Sequence, residues 1–135
     1  MITERLAHFI SETPVNDIPP EAFKTAKLAI ADFIGVTLAG SREEAGDIVS
    51  EYVLSMGGKA LSGVIGRGFK LPPNLASMAN GTMGHALDYD DFSFVFAGHS
   101  SVSLAPAVLS LGESINASGA NVLAAYIIGF EAIVC

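Results

Sequence analysis

The sequence predicts an all-α protein, a bundle of about six helices with one short extended segment near residues 61–66. Apolar residues recur at helical spacing along most of the chain. The periodic stretches open beside prolines and close at glycines, as helices do. The single extended candidate has no obvious partner strand.

The elements follow in order. Ile2, Leu6, Phe9 and Ile10 mark a short amphipathic helix that ends at Thr13-Pro14. Pro19-Pro20-Glu21 opens a second helix, with proline tolerated in the first turn and an acid favoured at the positive helix end. It runs to about Gly40 and is apolar almost all round in its second half, the mark of a central helix. Ser41-Arg42-Glu43-Glu44 reads as a capping box for a third helix reaching Met56 and stopped by Gly57-Gly58. Leu61 to Gly66 breaks the helical pattern and reads as extended. Gly63, Gly66 and Gly68 read as a turn, because their spacing is not a nucleotide fingerprint. Pro72-Pro73-Asn74 starts a fourth helix, rich in alanine and methionine. Val102 to Ile115 predicts a fifth, with Pro106 in its first turn. Ser118-Gly119 opens a sixth, from Ala120 to at least Val134.

At 135 residues the chain is long enough for one domain with a core. Half the residues are hydrophobic and only 16% are charged, against about a quarter in ordinary globular proteins. That balance predicts helices buried against something else. The apolar stretches 28–39, 102–111 and 120–134 are interrupted by Asp32, by Ser103, Pro106 and Ser110, and by Glu131. None supplies the roughly 18–20 uninterrupted apolar residues of a spanning helix, so no membrane role is expected. The first residues lack the layout of a secretory leader, and the single cysteine, Cys135, has no internal disulfide partner. A cytoplasmic location is expected. The net charge of −7 leaves seven scattered basic residues, none after Lys70; nucleic acid is excluded as a partner because phosphate binding needs a basic surface.

The chemistry concentrates in Asn80 to Ser101, N-G-T-M-G-H-A-L-D-Y-D-D-F-S-F-V-F-A-G-H-S-S. His85, Asp88, Asp90, Asp91 and His99 form a titratable island in charge-poor surroundings. Burying such groups is costly unless each is paired or faces a cleft. On a continuing helix His85, Asp88 and Asp91 share a face and Asp90 points elsewhere. Aspartates exposed at the negative end of a helix repel it and one another, so a chemical role is favoured over a solvated cluster. Two histidines with several carboxylates suit zinc, manganese or iron, but the spacing matches no metal motif, and no metal or other cofactor is expected. General acid–base chemistry is the better reading. His99-Ser100-Ser101 enters the next helix, where backbone N–H groups and serine hydroxyls can hold a substrate carboxylate or simply cap the helix. The Phe92, Phe94, Phe96 alternation reads as a loop wall, a lid or a partner-facing strip. A helical binding module without chemistry, and a metal-dependent hydrolase using His85, Asp88 and His99, are the competing readings.

Taken together, Ala79-Asn-Gly-Thr-Met-Gly-His-Ala-Leu-Asp-Tyr-Asp-Asp91, then His99-Ser100, Pro106-Ala107, Ser118-Gly119 and Gly129-Phe130-Glu131 resemble the MmgE/PrpD family in the same order. The Ala29 to Gly35 helix and the Val64-Ile65-Gly66…Pro72 segment match as well. The resemblance implies a helical domain joined to a smaller α+β domain, usually in a homodimer. It implies metal-independent proton chemistry on small di- and tricarboxylates, as in 2-methylcitrate dehydration, cis-aconitate decarboxylation and iminodisuccinate epimerisation. By position it assigns Asp88 and His99 to catalysis. His85, Asp91 and Ser100 are the expected substrate-binding residues. The decarboxylase pattern has threonine after D-x-D-D where this chain has Phe92, and its loop to His99 is one residue shorter; both argue against that activity and leave a 2-methylcitrate dehydratase-like activity, an epimerase or another substrate open. Family members are roughly three times longer, with catalytic lysines in the remainder. Residues 1–135 are therefore expected to be a truncated N-terminal domain, lacking its C-terminal partner and inactive by itself.

Overall fold

The computed structural model describes residues 1–95 and 97–134. Phe96, the last aromatic of the Phe92 alternation, and Cys135 lie outside the described residues. The architecture is predominantly helical: α1 (Ile2–Glu12), a 3₁₀ turn (Val15–Asp17), α2 (Pro20–Gly40), α3 (Glu44–Met56), β1 (Ser62–Gly63), β2 (Lys70–Leu71), α4 (Pro73–His85), α5 (Ser100–Ser114) and α6 (Gly119–Val134). None of these helices is long and apolar enough to cross a membrane.

Three local expectations are corrected. The capping box does not form. Ser41 has helical dihedrals (φ −64°, ψ −11°) and continues the last turn of α2, its hydroxyl donating to the Leu38 carbonyl at 2.7 Å; an N-cap needs extended backbone, which Glu43 supplies (φ −83°, ψ 158°). The extended segment does have a partner. Ser62 pairs with Leu71 and Gly63 with Lys70 in an antiparallel ladder, and the intervening turn uses Gly66 (φ +75°) and Gly68 (φ +70°). A two-residue strand is too short to show alternation, so Lys70-Leu71 carries no sequence signal. Finally, α5 begins at Ser100, two residues before the expected start, which puts Pro106 inside the helix instead of in its first turn. The missing N–H leaves the Val102 carbonyl without its helical partner. That carbonyl and the Pro106 ring lie 3.5 Å from where a side chain on Gly81 would begin, so α4 presents glycine where α5 is irregular.

Helix α4 is the centre of the molecule, packing on α2, α3 and α5. Val49, Val53, Val64, Leu71, Ala76, Ala79 and Met83 form one core cluster, and Ala26, Phe33, Ala105 and Tyr126 form another. The α2–α4 crossing is close: Gly84 meets the Phe33 ring and Gly40 meets the Met83 carbonyl. Buried Asn80 ties α4 to the hairpin, accepting from the Ile65 N–H at 2.8 Å and donating to the Gly63 carbonyl at 3.0 Å. This placement fixes the C-terminal end of α4 beside the N-terminal end of α5.

Glu113 of α5 clamps the hairpin from the other side, accepting from Lys70 Nζ at 2.5 Å and from the Gly63 N–H at 2.7 Å. The Lys70 hydrogen bond, then that N–H, hold its carboxyl below its ordinary value of 4.5. A depressed carboxyl stabilises the fold above its unfolded value and loses that contribution as pH falls through its folded value. Glu113→Gln is therefore expected to flatten the decline in urea midpoint below about pH 4.5 while leaving the pH 7–8 slope unchanged; equal acid slopes would disprove the clamp.

Candidate active site

Helix α4 stops at His85, whose ring sits at its C-terminal edge. The chain then turns sharply at Asp88, which has left-handed backbone (φ +50°) and donates its N–H to the His85 carbonyl at 3.0 Å. Aspartate tolerates that conformation better than most residues. An acid-rich segment at the negative end of a helix has electrostatic reason to leave the helix there. The shared face expected for His85, Asp88 and Asp91 is consequently absent, because only His85 is helical.

The turn instead sends Asp90 inward, which corrects the expectation that it points elsewhere. Its side chain is 1% exposed and lies between the two imidazoles: Oδ1 is 2.9 Å from His85 Nδ1, and Oδ2 is 3.1 Å from His99 Nδ1. The first contact is a hydrogen bond. The second is close but misaligned, so Asp90 Oδ2 and His99 Nδ1 are buried without a hydrogen-bond partner. His99 Nε2, the other face of the ring, lies 3.6 Å from Asp88 Oδ1. The imidazoles meet edge to face at 4.7 Å between centroids, and Phe92 packs edge to face on His99 at 5.4 Å. Ionised carboxylate accepts only, so Asp90 favours a proton on each facing Nδ1 and leaves each Nε2 free to accept in the neutral ring.

The three aspartates therefore have three environments. Asp90 is buried between histidines. Asp88 is 80% exposed beside His99. Asp91, expected to bind substrate, is committed internally: Oδ1 accepts from the Ser101 N–H at 2.9 Å and Oδ2 from the Ser101 hydroxyl at 2.5 Å. That carboxylate occupies the start of α5 where a substrate carboxylate was expected. Ser100, the other expected contact there, is 1% exposed and does not face the open side. His85, with half its side chain exposed, and His99, with about a quarter, remain accessible. Among the described residues the loop is closed by a bridge between Ser93 and Gly98, with Phe92 and Phe94 in edge contact.

Asp90 is the residue that sequence reasoning misplaced; the signal available was the electrostatic argument for ending the helix before the acids. Tyr126, hydrogen-bonded to Ser101 at 2.6 Å, was not singled out, and no local pattern marks it. Burial pushes the Tyr126 phenol above its ordinary value of 10.0; the Ser101 hydrogen bond opposes and the nearby Asp91 charge adds.

Chemically, the arrangement can accept a proton at His99 or His85 and stabilise the resulting imidazolium with Asp90. His85, Asp88, Asp90 and His99 also offer donor atoms within 4.8 Å of one another, a set of nitrogens and oxygens that fits a borderline transition cation such as zinc. The ion pairs of Asp88 and Asp90 run to histidines, with no lysine or arginine among the described residues joining them.

The model of the MmgE/PrpD N-terminal domain matches residues 4–135. A cis-aconitate decarboxylase of Aspergillus terreus is 30% identical over 135 residues, covering 96% of this chain and 28% of the relative. A cis-aconitate decarboxylase-like protein, oryM, of Aspergillus oryzae is 28% identical over 141 residues with the same coverages. The chain thus spans little more than a quarter of the length of these relatives. With the match running over nearly every residue, the chain belongs to the MmgE/PrpD family and carries its N-terminal domain.

Proposed function

We propose that this chain supplies the acid–base wall of a lyase or isomerase acting on small di- or tricarboxylates, without a metal or organic cofactor. The observation that carries the reading is the Asp90 carboxylate held between two accessible imidazoles. In the proposed step His99 Nε2 removes a proton from the carbon next to a substrate carboxylate. In a dehydration the β carbon–oxygen bond then breaks, and the departing hydroxide takes a proton from a neighbouring acid, the role we assign to Asp88 or His85. Re-protonation on the opposite face would give epimerisation; in a decarboxylation no proton is first removed, and the electron pair left when the carbon–carboxylate bond breaks to release carbon dioxide takes a proton from the same acid. The match to decarboxylases makes cis-aconitate a candidate substrate, and 2-methylcitrate is the other. Phe92 against His99 supports a substrate with an apolar face beside the reacting carbon.

A polyanionic substrate needs cations, which the site lacks among the described residues. We assign them to a C-terminal domain in cis, and expect residues 1–135 by themselves to be inactive. The α3 face formed by Ile48, Tyr52 and Met56 is half or more exposed, supporting coverage by that domain or by a second subunit of a cytoplasmic homodimer.

Turnover of a panel of small polycarboxylates by the polypeptide as encoded tests the reading. Activity is expected to survive EDTA dialysis, and Asp88→Asn to lower kcat about 10²-fold, the low end for a general acid–base group, because Asp88 is largely exposed. The four donor atoms within 4.8 Å favour one rival, a metal-dependent hydrolase. Stoichiometric metal in elemental analysis, with activity lost in EDTA and restored by zinc, would establish that rival and sink the metal-free mechanism.

A further inference from the structure

We propose that Tyr126 is a positioning residue of the acid–base site: through Ser101 and Asp91, its hydroxyl fixes the loop that holds Asp90 against His85 and His99. The inference rests on the acid–base reading of those histidines. Its geometry is independent of which substrate they serve.

The direction of the hydrogen bonds follows from proton counting. Asp91 is an acceptor when ionised, so the Ser101 hydroxyl spends its one proton on Asp91 Oδ2 at 2.5 Å. The 2.6 Å contact between Ser101 Oγ and the Tyr126 hydroxyl then requires Tyr126 to donate. Tyr126 is 4% exposed and Ser101 1% exposed, so a missing donor leaves a buried acceptor unsatisfied. Donation by Tyr126 polarises the serine hydroxyl and strengthens its bond to Asp91.

The positions of these residues connect the chain of hydrogen bonds to the site. Asp91 follows Asp90 directly, and Ser101 lies two residues after His99. The two ends of the loop are therefore joined by Asp90 to the His99 ring and by Asp91 to Ser101, in addition to the Ser93–Gly98 bridge nearer its tip. Loss of the second tie frees the first to rotate. Packing does not substitute for it, because Asp91 and Tyr126 border a cavity of about 380 Å³ shared with Ala26 and Phe130. Tyr126, from α6, is the fixed post of this arrangement, resting in the cluster with Ala26, Phe33 and Ala105.

Tyr126→Phe keeps the ring and removes only the donor. In the polypeptide as encoded, kcat is expected to fall roughly tenfold or more with KM changed less than twofold, since small displacements of a reacting group act on the chemical step. Histidine-selective NMR provides a readout that needs no substrate. The ring resonances of His85 and His99 should move in Tyr126→Phe and in Ser101→Ala. They should stay in place in Val53→Ala, a core truncation in α3 that lowers stability without touching the loop. Unmoved histidine resonances in both hydroxyl-deletion variants overturn the proposal, whatever the turnover assay shows. Moved resonances in a protein with no polycarboxylate turnover uphold the positioning and refute the function assigned to the site. If Val53→Ala shifts the histidines equally, Tyr126 acts through general stability and the proposal fails.

Discussion

His99→Ala is expected to lower kcat about 10³-fold, and Asp90→Asn by a similar factor, with the melting temperature of the asparagine variant nearly unchanged. The reasoning for Asp90 is geometric. Its two oxygens face Nδ1 of His85 at 2.9 Å and Nδ1 of His99 at 3.1 Å. Asparagine fills the same volume but has one accepting oxygen and one donating amide. Whichever imidazole meets the amide must present a lone pair at Nδ1, which moves its proton to Nε2 and removes the base. The buried carboxylate that balanced an imidazolium is lost at the same time. Because Asp90 acts through the histidines, the double variant is expected to be no slower than His99→Ala alone. Steady-state kinetics on the three variants, with circular dichroism to confirm the fold, decides it. Additive losses would show Asp90 acting independently of His99, through His85 or on substrate.

Gly40→Ala is expected to be the most damaging single-methyl change in the scaffold, costing roughly 2–3 kcal/mol. A side-chain carbon there would lie 2.0 Å from the Met83 carbonyl oxygen and 3.1 Å from its carbon. Both are backbone atoms within α4 and cannot rotate away, so the α2–α4 crossing itself must open. Gly35, five residues earlier on the same helix, has nothing within 4 Å of the equivalent position. Gly35→Ala should instead stabilise by about 0.5–1 kcal/mol, through helix propensity. Urea midpoints for the pair separate packing from propensity. Similar shifts of the same sign would show that the crossing is looser than described. The effect also reaches the site, since Met83 lies two residues before His85.

The helices were legible because their signals are local. Pro19-Pro20, Pro72-Pro73 and Ser118-Gly119 mark starts, and Gly57 marks an end; each acts through dihedral limits or hydrogen bonds within a turn of its own position. The same logic misled where two local readings competed. Ser41 suits an N-cap and a C-terminal turn equally, and the extent of α2 decided for the latter. Pro106 suits a first turn, but Ser100-Ser101 extended α5 toward the loop because Asp91 caps it from ten residues away.

The sequence by itself determined the helical class, the family resemblance and the set of residues that do chemistry, because those depend on residue type and spacing. Only the tertiary structure decided how that set divides. It turned Asp90 inward between the histidines, left Asp88 facing solvent, and gave Asp91 to Ser101 and Tyr126. The physical reason is that helix periodicity orders side chains only while the helix lasts. Once α4 ends at His85, each carboxylate takes the direction set by partners elsewhere in the chain, and a pairing between Asp91, Ser101 and Tyr126 has no period to reveal it.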